Sequence, residues 1–196
     1  MRIKVFYVAL LMVTGVFDVQ AQSYKKAADL EAYRHHLSYA DYQVSFFTLP
    51  SDAKTGKTKL ERNYHWLAGR QINVTSGGYS GKLLHGSFTS FYLDKQLKEQ
   101  GDFKKGLKQG EWKKWNADGS LASRIHYSNG LKNGSFYNYN EKGILIEQGN
   151  YSDDKLSGKL RKQVNADSVA VVRYRNGIEY QKGGKPWWKF WKKRIK

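Results

Sequence analysis

The chain has 196 residues, enough for one domain of ordinary size with appendages and too few for two full ones. An aromatic content of 15% with 19 Gly and 2 Pro favours strands and turns over packed helices. The absence of Cys excludes disulfides, thiolate metal sites, a cysteine nucleophile and a lipidated cysteine, while a formal charge of +17 suits anionic partners such as phospholipid, lipopolysaccharide or nucleic acid without choosing among them.

Residues 1–21 are predicted to be a cleavable secretory signal. Arg2 and Lys4 precede an apolar run from Val5 to Phe17, and the small-residue pattern Val19-Gln20-Ala21 stands before Gln22. A run of about 13 residues falls short of the ~20 that a membrane-spanning helix needs. Export to the periplasm or the cell envelope of a bacterium is therefore expected, and the chain after Ala21 stays strongly basic.

Residues 22–53 form the next segment. Leu30, Tyr33 and Leu37 stand at i, i+3 and i+7, which predicts a short N-terminal helix within 23–40. Tyr42 to Leu49 is strand-like and ends at Pro50-Ser51-Asp52, and the stretch from Asp52 to Thr58 is expected to be a loop.

From 54 to 182 the dominant signal is an internal repeat. Tyr79, Phe103, Tyr127 and Tyr151 recur every 24 residues, as do Gly86, Gly110, Gly134 and Gly158. Further columns keep the step: Phe88, Trp112, Phe136 and Leu160; Phe91, Trp115 and Tyr139; Leu97, Leu121, Leu145 and Val169. Short aromatic and branched segments alternate with turn chemistry at Gly106 to Gly110, Asp118-Gly119 and Lys142-Gly143, so each unit reads as a β-hairpin. An isolated hairpin is marginal in water, and neighbouring copies must bury a shared face. The predicted fold is all-β: an elongated antiparallel sheet of tandem 24-residue β-hairpin repeats, flanked by a short N-terminal helix and a short amphipathic C-terminal helix. Tyr174 to Ile178 repeats the segment Tyr127 to Leu131 one residue short of register, and Tyr64 to Ile72 reads as a worn first copy. Trp112 and Trp115 are an odd number of residues apart, which in a regular strand requires either a bulge or two partly covered faces.

At Tyr79-Ser-Gly81-Lys-Leu-Leu-His-Gly86 and Phe103-Lys-Lys-Gly106-Leu-Lys-Gln-Gly110-Glu-Trp112 the chain resembles the MORN repeat, in particular the bacterial variant grouped with YwqK-family antitoxin repeat proteins. The likeness spans about residues 64 to 180. It implies a non-enzymatic scaffold that binds proteins, lipids or membranes. The antitoxin reading would make the chain an inhibitor that binds a toxin protein through the repeat sheet.

Residues 183–196, GGKPWWKFWKKRIK, are a basic, Trp-rich tail. Two glycines make a hinge and Pro186 suits the first helical position. On a helical wheel Trp187, Trp188, Phe190, Trp191 and Ile195 fall within roughly 160°, opposite Lys189, Lys192, Lys193 and Lys196. Trp187, Trp188, Lys189, Phe190, Trp191, Lys192 and Lys193 are the expected contacts to an anionic membrane surface. The alternative is a tail whose tryptophans cap the exposed edge of the last repeat.

No catalytic, cofactor or metal site is expected. Lys54-Thr-Gly56-Lys57-Thr58 has the end of a phosphate-binding loop but carries Ser51 where that motif needs Gly, and it reads as an exposed turn. His35, His36, His65, His85 and His126 lack metal-ligand spacing, and Asp118 and Asp153-Asp154 sit in turns. No small-molecule substrate is identified and nucleic acid is not an expected partner. A protein or envelope partner is, with Trp112, Trp115, Tyr137 and Tyr139 as the aromatic contacts on the sheet.

Overall fold

The computed structural model describes residues 33–165 and 167–180. The expected signal peptide and the C-terminal tail lie outside them. Among the described residues the fold is all-β, with thirteen strands and no helix.

Eight strands form the repeat array. They are β5 (Lys82–Tyr92), β6 (Leu97–Lys104), β7 (Leu107–Trp115), β8 (Leu121–Ser128), β9 (Leu131–Tyr139), β10 (Leu145–Ser152), β11 (Lys155–Gln163) and β12 (Val169–Arg175), and each pairs antiparallel with the next. The remaining strands are β1 (Arg34–Ser38) and β2 (Tyr42–Thr48) at one end, the hairpin β3 (Asn63–Ala68) and β4 (Gln71–Ser76), and a two-residue β13 (Ile178–Glu179) at the other end. The sheet order is β1-β2-β5-β6-β7-β8-β9-β10-β11-β12-β13, with β3 and β4 off this path.

Turn chemistry sets the register. The connections β6–β7, β8–β9, β10–β11 and β12–β13 are two-residue turns, Lys105-Gly106, Asn129-Gly130, Asp153-Asp154 and Asn176-Gly177, with positive φ at both residues of each. That conformation matches the right-handed strand twist and favours Asn, Asp and Gly. The second residue of each turn donates its N–H to a carbonyl two strands back: Gly106 to Leu84, Gly130 to Lys108, Asp154 to Lys132 and Gly177 to Leu156. The acceptors recur at the 24-residue step, so each repeat is tied to its predecessor by a backbone bond as well as by the ladder. The degenerate last copy keeps this bond.

Gly110 is not part of a turn, contrary to the expectation that Gly106 to Gly110 is one. It lies inside β7 with φ 71°, where the register against β6 slips: Gln100 faces Lys113 but Asp102 faces Gln109. The repeated glycine is therefore a bulge residue, placed where an L side chain would be strained. The bulge leaves the Lys108 carbonyl available to the next repeat's turn.

The expected N-terminal helix is corrected where it can be seen. Residues 34–38 are strand β1, paired to β2 with His35 opposite Phe46 and Leu37 opposite Val44. His35 stacks on Phe46 at 5.3 Å and shares a hydrogen bond with Thr48 Oγ1 at 3.0 Å, so the segment alternates with period two. Residues 23–32 of that expected helix lie outside the described residues. The worn first copy, Tyr64 to Ile72, is indeed a hairpin, but an inserted one: β2 pairs directly with β5, and β3 and β4 branch from the start of β5.

The core is a row of rings along one sheet face. Phe103 and Trp112 lie 4.9 Å apart, Phe88 is 5.5 Å from each, Tyr127 is 6.3 Å from Trp112, and Phe136 meets Tyr151 at 4.7 Å. These are the Phe103-Tyr127-Tyr151 and Phe88-Trp112-Phe136 columns of the repeat, interleaved. At the N-terminal end the row merges with buried Val44, Phe46 and Leu84, and the β3–β4 hairpin supplies Leu67 and Ile72 as a partial second layer.

Candidate functional site

The two sheet faces differ in chemistry, and the residues expected to bind a partner divide between them. Trp112 belongs to the core: it is 2% exposed, sits among Phe88, Phe103 and Tyr127, and donates its indole N–H to the Asp102 carbonyl at 3.2 Å. It is thereby removed from the set of exposed aromatics, because the largest ring of the row has to be in the interior to fill it. The ring rests on Gly101, where a Cβ would come within 2.3 Å of it.

This inner face also holds a buried cation. The Lys108 ammonium lies 3.7 Å above the Trp112 ring and 2.9 Å from Glu99 Oε1. Burial pushes the Lys108 pKa down and Glu99 opposes the shift. Burial also pushes the Tyr127 hydroxyl up to about 12, helped by the negative charges of Glu99 and Asp154. His65, on the inserted hairpin, packs at 4.7 Å against Phe103 and places Nδ1 3.3 Å from the Gly106 carbonyl. Its pKa is lowered to about 4, first by burial and then by Lys108, so it is neutral and its Nδ1–H donates to that carbonyl. Lys108 is paired with Glu99 and His65 with the Gly106 carbonyl, so both serve the packing of the inner face.

The opposite face is open and carries Tyr137. Its neighbour Phe136 is 2% exposed on the inner side, and the alternation of an extended strand turns Tyr137 outward. Arg124 caps the Tyr137 ring at 4.5 Å and pairs with Glu111 at 3.3 Å, while Lys113 joins Glu111 at 3.2 Å. Beside them is a depression of about 400 Å³ bordered by Ser135, Tyr137, Gln148, Asn150, Lys159 and Arg161. Tyr139 borders a second one of about 710 Å³ near the β9–β10 loop, with Ile144, Ile146 and Gln163.

The odd spacing of Trp112 and Trp115 is resolved as two partly covered faces: β7 runs without an extra residue from 112 to 115, and the bulge lies in β8 at Ala122. The register of β7 against β8 slips between Lys114, which faces Ser123, and Trp115, which faces Leu121. Trp115 is half-buried, and its repeat counterpart Phe91 borders a depression with Ser87, Thr89 and Phe47 rather than joining the inner row. Trp115, Tyr137 and Tyr139 are thus the residues of the expected set that stand apart from the core. Trp187, Trp188, Lys189, Phe190, Trp191, Lys192 and Lys193 lie outside the described residues.

Reasoning from sequence missed Arg124, Lys159 and Arg161, which the pairing of four strands brings to one face. Their signal was only the column alternation that also places Tyr137. Among the described residues no group of His, Asp and Glu is assembled to hold a metal, and no helix is long and apolar enough to cross a membrane.

A ladder of equivalent hairpins, with one ring-lined face and one open polar-aromatic face, defines a β-repeat binding module. Two units of the array match the MORN repeat variant, at residues 84–105 and 108–129, and are MORN-like repeats. Each match runs from one strand bulge to the following two-residue turn, and the same geometry continues unmatched through β9 to β12. The MORN class is a repeat binding module and not a known enzyme family. No curated protein and no solved structure matches the chain.

Proposed function

We propose that the chain is a non-enzymatic repeat scaffold, exported to the periplasm or surface of a bacterium, that binds a protein or envelope partner across the open face of its sheet. The observation that carries this reading is the cluster of Tyr137 under Arg124 beside the depression bordered by Lys159 and Arg161. Aromatic and arginine side chains dominate binding energetics, and a rigid sheet presents them at little entropic cost. The tail at 183–196 adds a hold on an anionic membrane surface.

A photoreactive residue at Ser135, on the exposed rim of the depression, tests the partner surface in intact cells. One discrete adduct is expected from this position, lost when Tyr137→Ala is added. No such adduct is expected from Lys114, whose side chain pairs with Glu99 beside the inner row. Equal adducts from both positions, or none, overturn the reading, and a toxin as the adduct would select the antitoxin alternative. Sequencing of the protein recovered from cells tests export, with Gln22 as the expected first residue. Co-sedimentation with anionic vesicles, with and without residues 183–196, tests the tail.

A further inference from the structure

The connection between β2 and β3 folds back on the repeat array. Thr55 Oγ1 and the Tyr79 hydroxyl share a hydrogen bond of 2.6 Å, Lys105 Nζ donates to the Lys54 carbonyl at 3.2 Å, and the Lys59 N–H donates to the Tyr64 hydroxyl at 2.9 Å. Between this connection and the β6–β7 turn lies a cleft of about 290 Å³. Five cationic side chains line it, Lys57, Lys59, Arg62, Lys104 and Lys105, and no carboxylate does.

Arg62 is the informative residue. Its Nε and Nη1 are shielded from solvent and have no hydrogen-bond acceptor. A guanidinium never sheds its charge, and burying its donors without an acceptor is costly unless something else satisfies them. Four lysines around the same cleft add mutual repulsion that an anion would relieve. The planar donor fork of arginine suits an oxyanion with several acceptor oxygens, and phosphate is the common case.

We propose that this cleft binds a phosphate group, as inorganic phosphate or as the terminal phosphate of a monoester, with Arg62 at its floor and Lys57, Lys59 and Lys105 around it. The site uses side chains rather than a backbone cradle. The Lys54 to Thr58 stretch has no helix after it, and Gly56 is exposed at φ 80°, so it does not form a nucleotide-binding loop. The cleft lies away from the Tyr137 cluster and does not depend on the proposed partner surface.

The test is calorimetric titration of the full mature chain with inorganic phosphate, paired with thermal melts in phosphate-free and phosphate buffers. Saturable binding at millimolar concentration or tighter is expected, together with a melting temperature that rises with phosphate. Arg62→Met should weaken binding at least tenfold and abolish the rise, yet melt no lower than wild type in phosphate-free buffer, because it removes an unsatisfied buried charge. Lys57→Gln with Lys59→Gln, both exposed, should weaken binding without affecting the fold. Lys155→Gln, exposed at the start of β11 and outside both the cleft and the Tyr137 cluster, should change nothing. The source of the phosphate is read from vesicles carrying phosphatidic acid. Association that is reduced by Arg62→Met and competed by free phosphate assigns a lipid headgroup, and phosphate binding without Arg62-dependent association assigns a soluble ligand. No saturable phosphate binding, or binding that Arg62→Met leaves unchanged, overturns the proposal.

Discussion

Replacing Gly101 by Ala should be among the most damaging single-methyl additions in the chain. The added Cβ would stand 2.3 Å from Trp112 Cδ2, 2.4 Å from Cε2 and 2.7 Å from Cγ. Carbon atoms prefer separations of about 3.5–4.0 Å, so the indole must move by more than ~1 Å. It has little room to do so, with Phe103 4.9 Å away, Lys108 Nζ 3.7 Å above the ring and the indole N–H committed to Asp102. Overpacking costs about 1–3 kcal/mol, and a displaced ring also forfeits a hydrogen bond of about 1 kcal/mol, which places the substitution near 3 kcal/mol. At ~2–4 °C per kcal/mol for a body of this size, the melting temperature should fall by roughly 6–12 °C. Gly149→Ala is the control. Its nearest neighbours are side-chain ends, Phe136 Cε1 at 2.8 Å and Leu160 Cδ1 at 3.1 Å, and a loss of about 1 kcal/mol is expected. Parallel urea and thermal melts followed by tryptophan fluorescence and circular dichroism compare the two variants. Adding Trp112→Phe to Gly101→Ala should recover part of the loss relative to Trp112→Phe alone, a coupling that a double-mutant cycle measures. Equal costs at Gly101 and Gly149, or no coupling to Trp112, would refute the assignment of Trp112 to the core.

Stability should also depend on His65. Its folded pKa of about 4 lies below the ordinary 6.5, so the unfolded chain takes up a proton across this interval while the folded protein does not. The contribution is therefore complete above pH 6.5 and declines as pH falls towards 4, by about 3 kcal/mol at most. Urea midpoints at pH 7 and pH 5 should differ more for wild type than for His65→Gln. Glu99→Gln should cost about 1–3 kcal/mol by leaving Lys108 without its counter-charge, and Glu99→Gln with Lys108→Met should recover much of the loss. A Lys108 that tolerates Glu99→Gln unchanged would contradict the buried pair. Asp154→Ala removes the carboxylate that accepts the Lys132 N–H at 2.7 Å and places Ala at φ 64°, and should cost about 1–2 kcal/mol in the same melts.

The repeat step was legible in the sequence because the columns carry different physics. Aromatic positions fill the inner row, and glycine positions take backbone conformations closed to other residues. The phase within the unit was not legible. Gly106 and Gly110 both have positive φ, one in a two-residue turn and one in a strand bulge, and composition cannot tell the two apart. The strand at 34–38 was misread because Leu30, Tyr33 and Leu37 fit a helical face, while the alternation of His35 and Leu37 becomes decisive only when β2 lies alongside. Trp112 was placed on the binding surface because a tryptophan in a basic segment suits an interface equally well. Only the ring neighbours and the vacancy above Gly101 show that it fills the interior. Lys108 was unremarkable in sequence, since its burial depends on Glu99 from the adjoining strand. The insertion of β3 and β4 could not be foreseen from a worn hairpin that resembles its neighbours.

The central claim is that one sheet face is a closed aromatic core and the other an open contact surface. Hydroxyl-radical footprinting of the protein, resolved to single residues by mass spectrometry, tests it most directly. Oxidation several-fold faster at Trp115, Tyr137 and Tyr139 than at Trp112, Phe103 and Phe136 is the result expected. Oxidation of Trp112 as fast as that of Trp115 and Tyr137 would contradict the account.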